Sequence, residues 1–550
     1  MHTRSRTLAL ATPHAAATAA GRGAFAAGGT AVDAALAACA TLTVVYPHMC
    51  SIGGDAIALL HAPGGQITAV NGSGAAPAAL DAARVRAALE RDPAPVTRTG
   101  MPVRGPDTVT VPGVLAAWET LRGLGGVVSF ARLLRPAITH AADGCPVSRS
   151  LAATLAWEPD LFAADPGLGE IFFRGGGAPG GIRPLVGGEV FRQPALAASL
   201  EAIAREGAGV FYRGELGARY VAGLRAAGSV LTTDDLAAHE TEVAEPLRGS
   251  AFGHEIVTAP PNSQGYVLLQ LVAALEELAG PGGVTLDPLG PDAAAFARLF
   301  ALTGADRDRH LCDPRFHAVP LEELLGPARI RRLAESSASG GAGELGAGSA
   351  GASAGDTIAC VAADSDGWAV SIIQSVYRGF GAAILEPSTG IVAHDRGACF
   401  SLDPASPNLL EGGKRPLHTL MPMMVCREGR LAIVAGTMGG EAQPQIHAQI
   451  LSRLLRERGT EGQTAARGAV GIEAAVATPR WINSEGALLA EADVPEPCLA
   501  ALRATGTPVE LLEPADQTVG HAQYVRIGAD GTLEAGTDPR ADGAAFVGAA

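Results

Sequence analysis

The sequence is poor in aromatic residues, in basic clusters and in paired cysteines, and each shortage excludes a class of protein. Only 4% of the residues are aromatic, so the core must be built mainly from Ala, Val and Leu. The formal net charge is -15, and no block of Lys or Arg interrupts the sequence. Because binding to phosphates needs clustered cations, we expect no nucleic-acid partner.

The eight cysteines are scattered, and no two have the C-x-x-C spacing. This distribution predicts buried thiols in a reducing compartment, without a disulfide framework or a metal site. The most apolar run, Ala34 to Tyr46, is shorter than the ~20 residues that cross a bilayer. The first residues include arginines but no unbroken apolar segment. We therefore expect no signal peptide, no membrane partner and a cytoplasmic location.

The pattern of apolar residues alternates between helices and hairpins. Two strands around a turn are predicted at 56–73, 357–377 and 421–436, where apolar residues flank Gly-containing turn sequences. An amphipathic helix is predicted at 443–458. Hairpins with helices packed against them favour an α+β fold, and 550 residues with 47% hydrophobic content are enough for a large core.

A segment of Gly, Ala and Ser, residues 336–356, runs directly into the strand that begins at Thr357. One interpretation is a linker between domains. The other is a self-cleaving site at the Asp356–Thr357 bond, which would free the α-amine of Thr357 beside its own hydroxyl. A free α-amine has a pKa of about 7.7–8.0 and can act as the base for that hydroxyl. Composition alone favours the linker.

Ordered blocks along the chain resemble the γ-glutamyltransferase (γ-glutamyltranspeptidase) family of N-terminal-nucleophile (Ntn) hydrolases. They include GGTAVDAALAACATLTVVYPHMCSIGGDA, VPGVLAAW and TAPPNSQG, followed by GDTIACVAADSDGWAVSIIQSVYRGFG, GKRPLHTLMP, GTMGGEAQPQ and GTDPRADGAA. The resemblance implies a four-layer αββα sandwich, made as one precursor and cut into two subunits that stay together. The large subunit would be 1–356, with 336–356 as its flexible tail, and the small subunit 357–550. A further dimer of these heterodimers is left open.

The resemblance implies a catalytic role for four residues. Thr357 would be the nucleophile, and Ser375 would be a second hydroxyl that supports it; the alternative for Ser375 is a strand hydroxyl bonded to backbone. Gly439 and Gly440 precede a predicted helix, where two N–H groups suit the oxyanion of a tetrahedral intermediate. The alternative for this glycine pair is a plain turn.

Several positions depart from the glutathione-processing members of the family. Ser73 stands where those members have an Arg for the α-carboxylate, and Cys399 stands where they have an acid for the α-amino group. A buried zwitterion without counter-charges is costly, so transfer of a γ-glutamyl group from glutathione is disfavoured. Tyr377 replaces an Asn of the family.

Three further residues align with positions that contact the substrate. Arg396 replaces a Gln or Glu and suits a carboxylate; the alternative is a salt bridge with Asp395 or another acid. His418 and Thr419 occupy the family's paired-hydroxyl position. His418 contacts the substrate or is a buried histidine with its partners satisfied within the protein.

The pattern resembles a subgroup that includes oxamate amidohydrolase. We therefore expect a self-processing N-terminal-threonine hydrolase, without metal or cofactor, that cleaves an amide in a small carboxylate-bearing substrate through an acyl-enzyme. Three alternatives stay open. They are a γ-glutamyl transferase or glutathione hydrolase, a hydrolase of C–C bonds next to an oxalyl-like group in a natural-product pathway, and an uncleaved binding protein.

Overall fold

Two stacked antiparallel sheets form the centre of the molecule in the computed structural model. The structure describes residues 6–175, 181–281, 283, 286–339, 356–455, 470–484 and 486–549. One sheet has seven strands in the order β22-β1-β11-β12-β2-β3-β8, and the other has six in the order β21-β20-β16-β15-β10-β9. Smaller sheets pair β13 with β14, β4 with β7, β5 with β6, and β17, β18 and β19 with one another. The strands are β1 (Thr7–Thr12), β2 (Asp55–His61), β3 (Ile67–Gly72), β4 (Cys145–Pro146), β5 (Phe173–Arg174), β6 (Arg183–Pro184), β7 (Val190–Phe191), β8 (Glu242–Ala244), β9 (Leu247–Ala251), β10 (His254–Thr258), β11 (Asp356–Asp364), β12 (Ala369–Tyr377), β13 (Leu385–Glu386), β14 (Ile391–Val392), β15 (Met423–Arg427), β16 (Arg430–Thr437), β17 (Trp481–Ser484), β18 (Ala487–Glu491), β19 (Val509–Leu512), β20 (Ala522–Ile527), β21 (Leu533–Thr537) and β22 (Ala544–Ala549).

Helices cover the outer face of each sheet. Helices of the first half of the chain pack against the seven-stranded sheet, and α13, α14 and α17 pack against the six-stranded one. The helices are α1 (Ala15–Ala26), α2 (Ala31–Val45), α3 (Ala82–Arg91), α4 (Val114–Gly125), α5 (Phe130–Asp143), α6 (Arg149–Trp157), α7 (Pro159–Ala164), α8 (Pro166–Phe172), α9 (Pro194–Glu206), α10 (Gly209–Tyr212), α11 (Glu215–Ala226), α12 (Thr233–Ala237), α13 (Gly265–Ala279), α14 (Ala293–His310), α15 (Leu321–Leu324), α16 (Pro327–Ser339), α17 (Gln443–Leu454), α18 (Ile472–Ala477) and α19 (Glu496–Arg503).

Alternate residues of each central strand face different layers. In β11, Ile358 and Cys360 belong to the core shared with the first-half helices, whereas Val361 belongs to the layer between the sheets. Small side chains keep that inner layer thin: a Cβ added at Gly436 would lie 2.4 Å from Cδ1 of Ile373. The result is a four-layer αββα sandwich, and it confirms the expected fold class.

The central hairpin β11–β12 closes through Asp364. Its Oδ1 accepts from the backbone N–H groups of Asp366 at 3.0 Å and Trp368 at 3.1 Å, which fixes the turn. Its Oδ2 accepts from the N–H of Ala31 at 2.8 Å, so the same carboxylate also caps the start of α2. This turn sets the register that places Thr357 opposite Ser375.

The predicted hairpins at 56–73, 357–377 and 421–436 are present, with the turns at the expected places. Two boundaries differ from the expectation. Residues 336–339 continue α16, because helix propagation is cooperative and the Ser337 hydroxyl bonds back to the carbonyl of Ala334 at 2.8 Å. Asp356, expected at the end of the flexible tail, already belongs to β11. The rest of that tail, residues 340–355, lies outside the described residues. The last three residues of the helix predicted at 443–458 also lie outside them.

The described part of the chain contains no helix that is both long and apolar enough to traverse a bilayer. All eight cysteines are described, and each is a buried free thiol.

Candidate active site

Three side chains form a row across adjacent strands at one end of the seven-stranded sheet. Thr357 pairs with Ser375 across β11 and β12, and Ser375 pairs with Asp55 across β12 and β2. Directly opposite residues point to the same face of a sheet, so the three side chains share the layer between the two sheets. All three are buried, with 0–1% exposure.

The hydroxyls of this row form a directed chain of hydrogen bonds. The Thr357 hydroxyl donates to Oγ of Ser375 at 3.0 Å, and Ser375 donates to the carbonyl oxygen of Asp356 at 2.7 Å. The backbone N–H of Tyr377 also donates to Oγ of Ser375, at 2.7 Å. The ladder is irregular between Asp356 and Thr357, so this peptide bond lies where regular pairing breaks down.

The carboxyl group of Asp356 faces a separate cavity of about 230 Å³. Arg104, Gly379 and Met438 are among the residues that line this cavity. Burial raises the pKa of Asp356 to about 7, opposed by the Arg104 guanidinium and by a hydrogen bond from the Gly379 N–H.

The glycine pair, Gly439 and Gly440, forms a sharp turn between β16 and α17. Gly439 has φ +138° and Gly440 has φ +52°, and both values favour glycine. The preceding residue, Met438, lines the cavity of Asp356, and the following residue, Glu441, lines a cavity with Tyr377. The pair therefore runs between the surroundings of Asp356 and those of Tyr377, immediately before α17.

Gln264 links this turn to Thr419. Its Nε2 donates to the carbonyl of Gly440 at 2.9 Å and to the carbonyl of Thr419 at 2.8 Å. Buried Arg307 donates to Glu441 at 2.7 Å, and so holds the residue that follows the glycine pair. These contacts rigidify the turn.

Arg396 is a buried cation whose hydrogen bonds go to neutral groups. Its Nη1 donates to Oγ1 of Thr419 at 3.1 Å and to Sγ of Cys399 at 3.5 Å, and its guanidinium lies 4.3 Å from the ring centroid of Tyr377. Within the described residues, no carboxylate lies within 4.0 Å of it, and its Nη2 has no hydrogen-bond partner. The neighbouring Asp395 pairs with Arg378 instead, at 3.6 Å.

A cavity of about 350 Å³ lies next to the side chains that contact Arg396. Tyr377, Cys399 and Glu441 line it, and so do Arg378, Asn408 and Leu417. Tyr377 and Cys399 are the direct neighbours of Arg396, so one layer of side chains separates the guanidinium from the cavity.

His418 makes its hydrogen bonds within the protein. It is fully buried, its Nε2 lies 3.1 Å from Oδ2 of Asp55, and its Nδ1 accepts from the N–H of Leu420 at 3.3 Å. Burial and the Arg396 charge hold the pKa of His418 well below its usual range, so the ring is neutral. Both ring nitrogens of His418 therefore have hydrogen-bond partners within the protein.

Ser73 is also occupied by protein contacts. Its hydroxyl donates to Oδ1 of Asn71 at 2.7 Å, and Nδ2 of Asn262 donates to it at 3.2 Å. Ser73 is fully buried and does not line the 350 Å³ cavity. Of the residues expected at the substrate, the structure therefore brings together Arg396, Tyr377, Cys399 and Thr419, and it assigns Ser73 and His418 to the supporting network.

Asp55, His394 and Gln264 are the site residues that sequence reasoning did not single out. Asp55 and Gln264 lie inside the blocks SIGGDA and PPNSQG, and an acid directly before an apolar strand is a usable indication of a functional carboxylate. No described group of three or more His, Cys, Asp or Glu side chains is arranged to hold a metal ion.

Comparison with known proteins relates this geometry to a family. The family model of gamma-glutamyltranspeptidase matches residues 17–548. The glutathione hydrolase-like YwrD proenzyme of Bacillus subtilis (strain 168) is 36% identical over 549 residues, which cover 97% of each chain. The oxamate amidohydrolase proenzyme of Klebsiella pneumoniae is 36% identical over 530 residues, which cover 94% of each chain.

Among solved structures, the cephalosporin acylase from Bacillus halodurans superimposes with a TM-score of 0.84 at 30% identity, covering 98% of this chain and 96% of that one. The likeness therefore extends over the whole sandwich and includes the strands that carry the hydroxyl row. The chain belongs to the gamma-glutamyltranspeptidase family and is an Ntn hydrolase.

Proposed function

We propose that the protein cuts itself at the Asp356–Thr357 bond and then uses Thr357 to hydrolyse an amide in a small carboxylate-bearing substrate. The observation that carries the proposal is the directed chain from the Thr357 hydroxyl through Ser375 to the carbonyl oxygen of Asp356. It joins the nucleophile of the cleavage to the oxygen that receives negative charge.

The first step follows this chain. Oγ1 of Thr357 attacks the carbonyl carbon of Asp356, its proton passes to Ser375, and the Ser375 proton passes to the former carbonyl oxygen. The five-membered intermediate then collapses: the C–N bond breaks, the nitrogen takes the proton from that oxygen, and an ester remains on Oγ1. Water hydrolyses the ester, which leaves an α-carboxylate at the new C-terminus, Asp356, and a free hydroxyl and a free α-amine on Thr357.

In the cut enzyme, the α-amine of Thr357 serves as the base. Its pKa, about 7.7–8.0 in an unperturbed terminus, leaves a useful neutral fraction near neutral pH. Thr357 attacks the substrate amide, the amine takes the hydroxyl proton and gives it to the leaving nitrogen, and water releases the acyl group. The N–H groups of Gly439 and Gly440 are suited to hold the oxyanion in both steps.

Arg396 supports a substrate with a carboxylate. A buried guanidinium without an ion partner within the described residues has a fork geometry that matches a carboxylate. One of its present acceptors is the Cys399 thiol, and sulfur is a weak acceptor that a carboxylate oxygen displaces. A cavity of about 350 Å³, with Cys399 among the residues that line it, suits a small substrate.

The same geometry disfavours a γ-glutamyl group. The buried hydroxyl of Ser73 is taken up by two asparagines, and Cys399 supplies a thiol instead of an acid. An α-amino acid head group would find no matched pair of counter-charges at these positions. The name of the oxamate amidohydrolase relative, an enzyme that acts on a small acid carrying an amide, supports the proposed substrate class.

Intact-mass spectrometry of the purified protein tests self-cleavage. Wild type is expected to give two masses, for residues 1–356 and 357–550. Thr357→Val, which keeps the β-branched shape without the hydroxyl, is expected to give the mass of one uncut chain. Thr357→Ser keeps a hydroxyl and serves as the matched control that still cuts. One uncut chain in all three proteins would overturn the self-processing step.

Turnover assays test the substrate class. The cut enzyme is offered oxamate, neutral oxamide and γ-glutamyl-p-nitroanilide, the last with and without a dipeptide acceptor, and ammonia or p-nitroaniline is measured. Preference for oxamate over oxamide is expected. If only γ-glutamyl-p-nitroanilide were turned over, the proposed class of carboxylate-bearing amide substrates would be rejected, and a γ-glutamyl transferase would be favoured.

A further inference from the structure

Asp55 is a fully buried acid next to the reacting hydroxyls, and the proposed reaction does not use it. It opens β2 directly opposite Ser375. Its Oδ1 accepts from the backbone N–H of Gly74 at 3.2 Å, and its Oδ2 accepts from Nε2 of His418 at 3.1 Å. The carboxylate thus fastens the loop of His418 and Thr419 to β2, the strand next to that of Ser375.

A second histidine, His394, faces the same carboxylate oxygen of Asp55 through its ring nitrogen Nδ1. Nδ1 of His394 lies 3.6 Å from Oδ2 of Asp55 and has no hydrogen-bond partner among the described residues. Its Nε2 lies 2.9 Å from the carbonyl oxygen of Thr110 and 3.1 Å from the Thr110 hydroxyl. With the proton on Nε2 and donated to that carbonyl, the lone pair of the ring is on Nδ1. In His418 the assignment is reversed, because Nδ1 accepts from Leu420 and Nε2 carries the proton. Asp55 therefore faces one donor and one acceptor.

These contacts define two states of the cluster. Ionised Asp55 accepts from His418, whereas protonated Asp55 has a proton to donate, and Nδ1 of His394 is the acceptor that faces it. His394 precedes Arg396 by two residues, so its ring is attached next to the turn Arg396–Cys399 that carries the guanidinium. The titratable and charged groups that face Asp55 are His418, His394, Arg396, Arg415 and Tyr212.

The change of state falls within a physiological pH range. Burial raises the pKa of Asp55 to about 7, opposed by the charges of Arg396 and Arg415 and by hydrogen bonds from Gly74 and Gly113. Burial also holds the pKa of His394 at about 4 and that of His418 well below its usual range, so both rings stay neutral while Asp55 titrates.

We propose that Asp55 is a positioning residue for the substrate site: as a carboxylate it holds the loop of His418 and Thr419 in place, and on protonation it turns to His394 and resets the loop of Arg396. The effect on substrate rests on the proposed function, whereas the change of hydrogen bonds does not. Because only the ionised state presents Arg396 correctly, the apparent KM for a carboxylate substrate rises about tenfold from pH 8 to pH 6, in proportion to the lost ionised fraction.

The hydrogen bonds are tested by NMR of the full chain labelled with ¹⁵N in its histidine rings, between pH 6 and 8.5. His418→Asn and His394→Gln each remove one signal and so assign it. Both signals are expected to shift with one midpoint near pH 7 in wild type and in the control variant His140→Gln, and to lose this midpoint in Asp55→Asn. A midpoint that persists in Asp55→Asn, or its absence from wild type, overturns the proposal. If Asp55→Asn does not fold, His394→Gln decides, because loss of the acceptor must lower the midpoint seen for His418.

The effect on substrate is tested with oxamate as the probe, by measuring KM and kcat against pH. In wild type, KM is expected to rise about tenfold from pH 8 to pH 6, while in Asp55→Asn it stays constant over that range. A histidine midpoint without oxamate turnover would refute the proposed substrate and leave the positioning cluster standing. Oxamate turnover with the same pH dependence of KM in wild type and Asp55→Asn would refute the positioning role alone.

Discussion

Removal of the Ser375 hydroxyl is expected to slow self-cleavage by about 100- to 1,000-fold. In Ser375→Ala, the carbonyl of Asp356 loses its donor at 2.7 Å and the Thr357 hydroxyl loses its acceptor at 3.0 Å. Loss of one donor to a developing oxyanion typically costs about 2.7–4 kcal/mol in the barrier, which corresponds to this range. The variant is expected to fold, although a buried N–H left without its acceptor costs about 1–3 kcal/mol of stability.

Ser371→Ala is the matched control for this experiment. Ser371 lies on the same strand and the same face, is equally buried, and donates to the carbonyl of Ala435 at 2.7 Å. Its removal also deletes one buried hydroxyl, yet it leaves the chain around Thr357 intact. The assay follows the uncut chain by mass spectrometry after rapid refolding. Wild-type cleavage in Ser375→Ala, or equal slowing in both variants, would refute the proton path through Ser375.

Three further predictions concern substrate binding, packing and pH. Arg396→Met is expected to raise the KM for oxamate about 10- to 100-fold and to leave oxamide hydrolysis unchanged, because a hydrogen bond to a charged group contributes about 1.5–3 kcal/mol. Equal losses of activity on both amides would contradict the binding of the substrate carboxylate by Arg396. Gly436→Ala is expected to lower the free energy of unfolding in urea by about 1–3 kcal/mol, because its new Cβ would lie 2.4 Å from a methyl group of the facing sheet. The control Gly123→Ala, on an open face of α4, is expected to raise it by about 0.5–1 kcal/mol. An unchanged free energy of unfolding in Gly436→Ala would contradict the tight spacing of the sheets. The pKa of Asp55 is raised from 3.8 to about 7, so the protonated form favours folding, and this contribution to stability is lost as pH rises from about 4 through 7. In Asp55→Asn, the fall in the free energy of unfolding over this pH range is expected to be smaller by up to about 4 kcal/mol. The same pH dependence of urea unfolding in wild type and Asp55→Asn would contradict this prediction.

Local sequence patterns were sufficient for the hairpins that build the centre of the fold. Alternating apolar residues around 364–367 and 427–429 specify strands and turns, because strand period and turn chemistry act over a few neighbouring residues. The ordered blocks likewise identified the family. Residues 336–339, expected in the flexible tail, instead belong to α16, because cooperative propagation carries the helix to Ser339 despite the low-complexity composition.

The sequence by itself pointed to the candidate nucleophile, its supporting hydroxyl and the glycine turn, because the ordered blocks that carry them resemble the family; composition alone favoured a linker before Thr357. Only the tertiary structure decided which other residues join them. Asp55 meets His418 across 363 positions of the chain. Among the described residues Arg396 has no acid within 4.0 Å, because Asp395 pairs with Arg378. Such pairings depend on how loops from distant segments pack at the end of a sandwich, and no local period or turn residue encodes them.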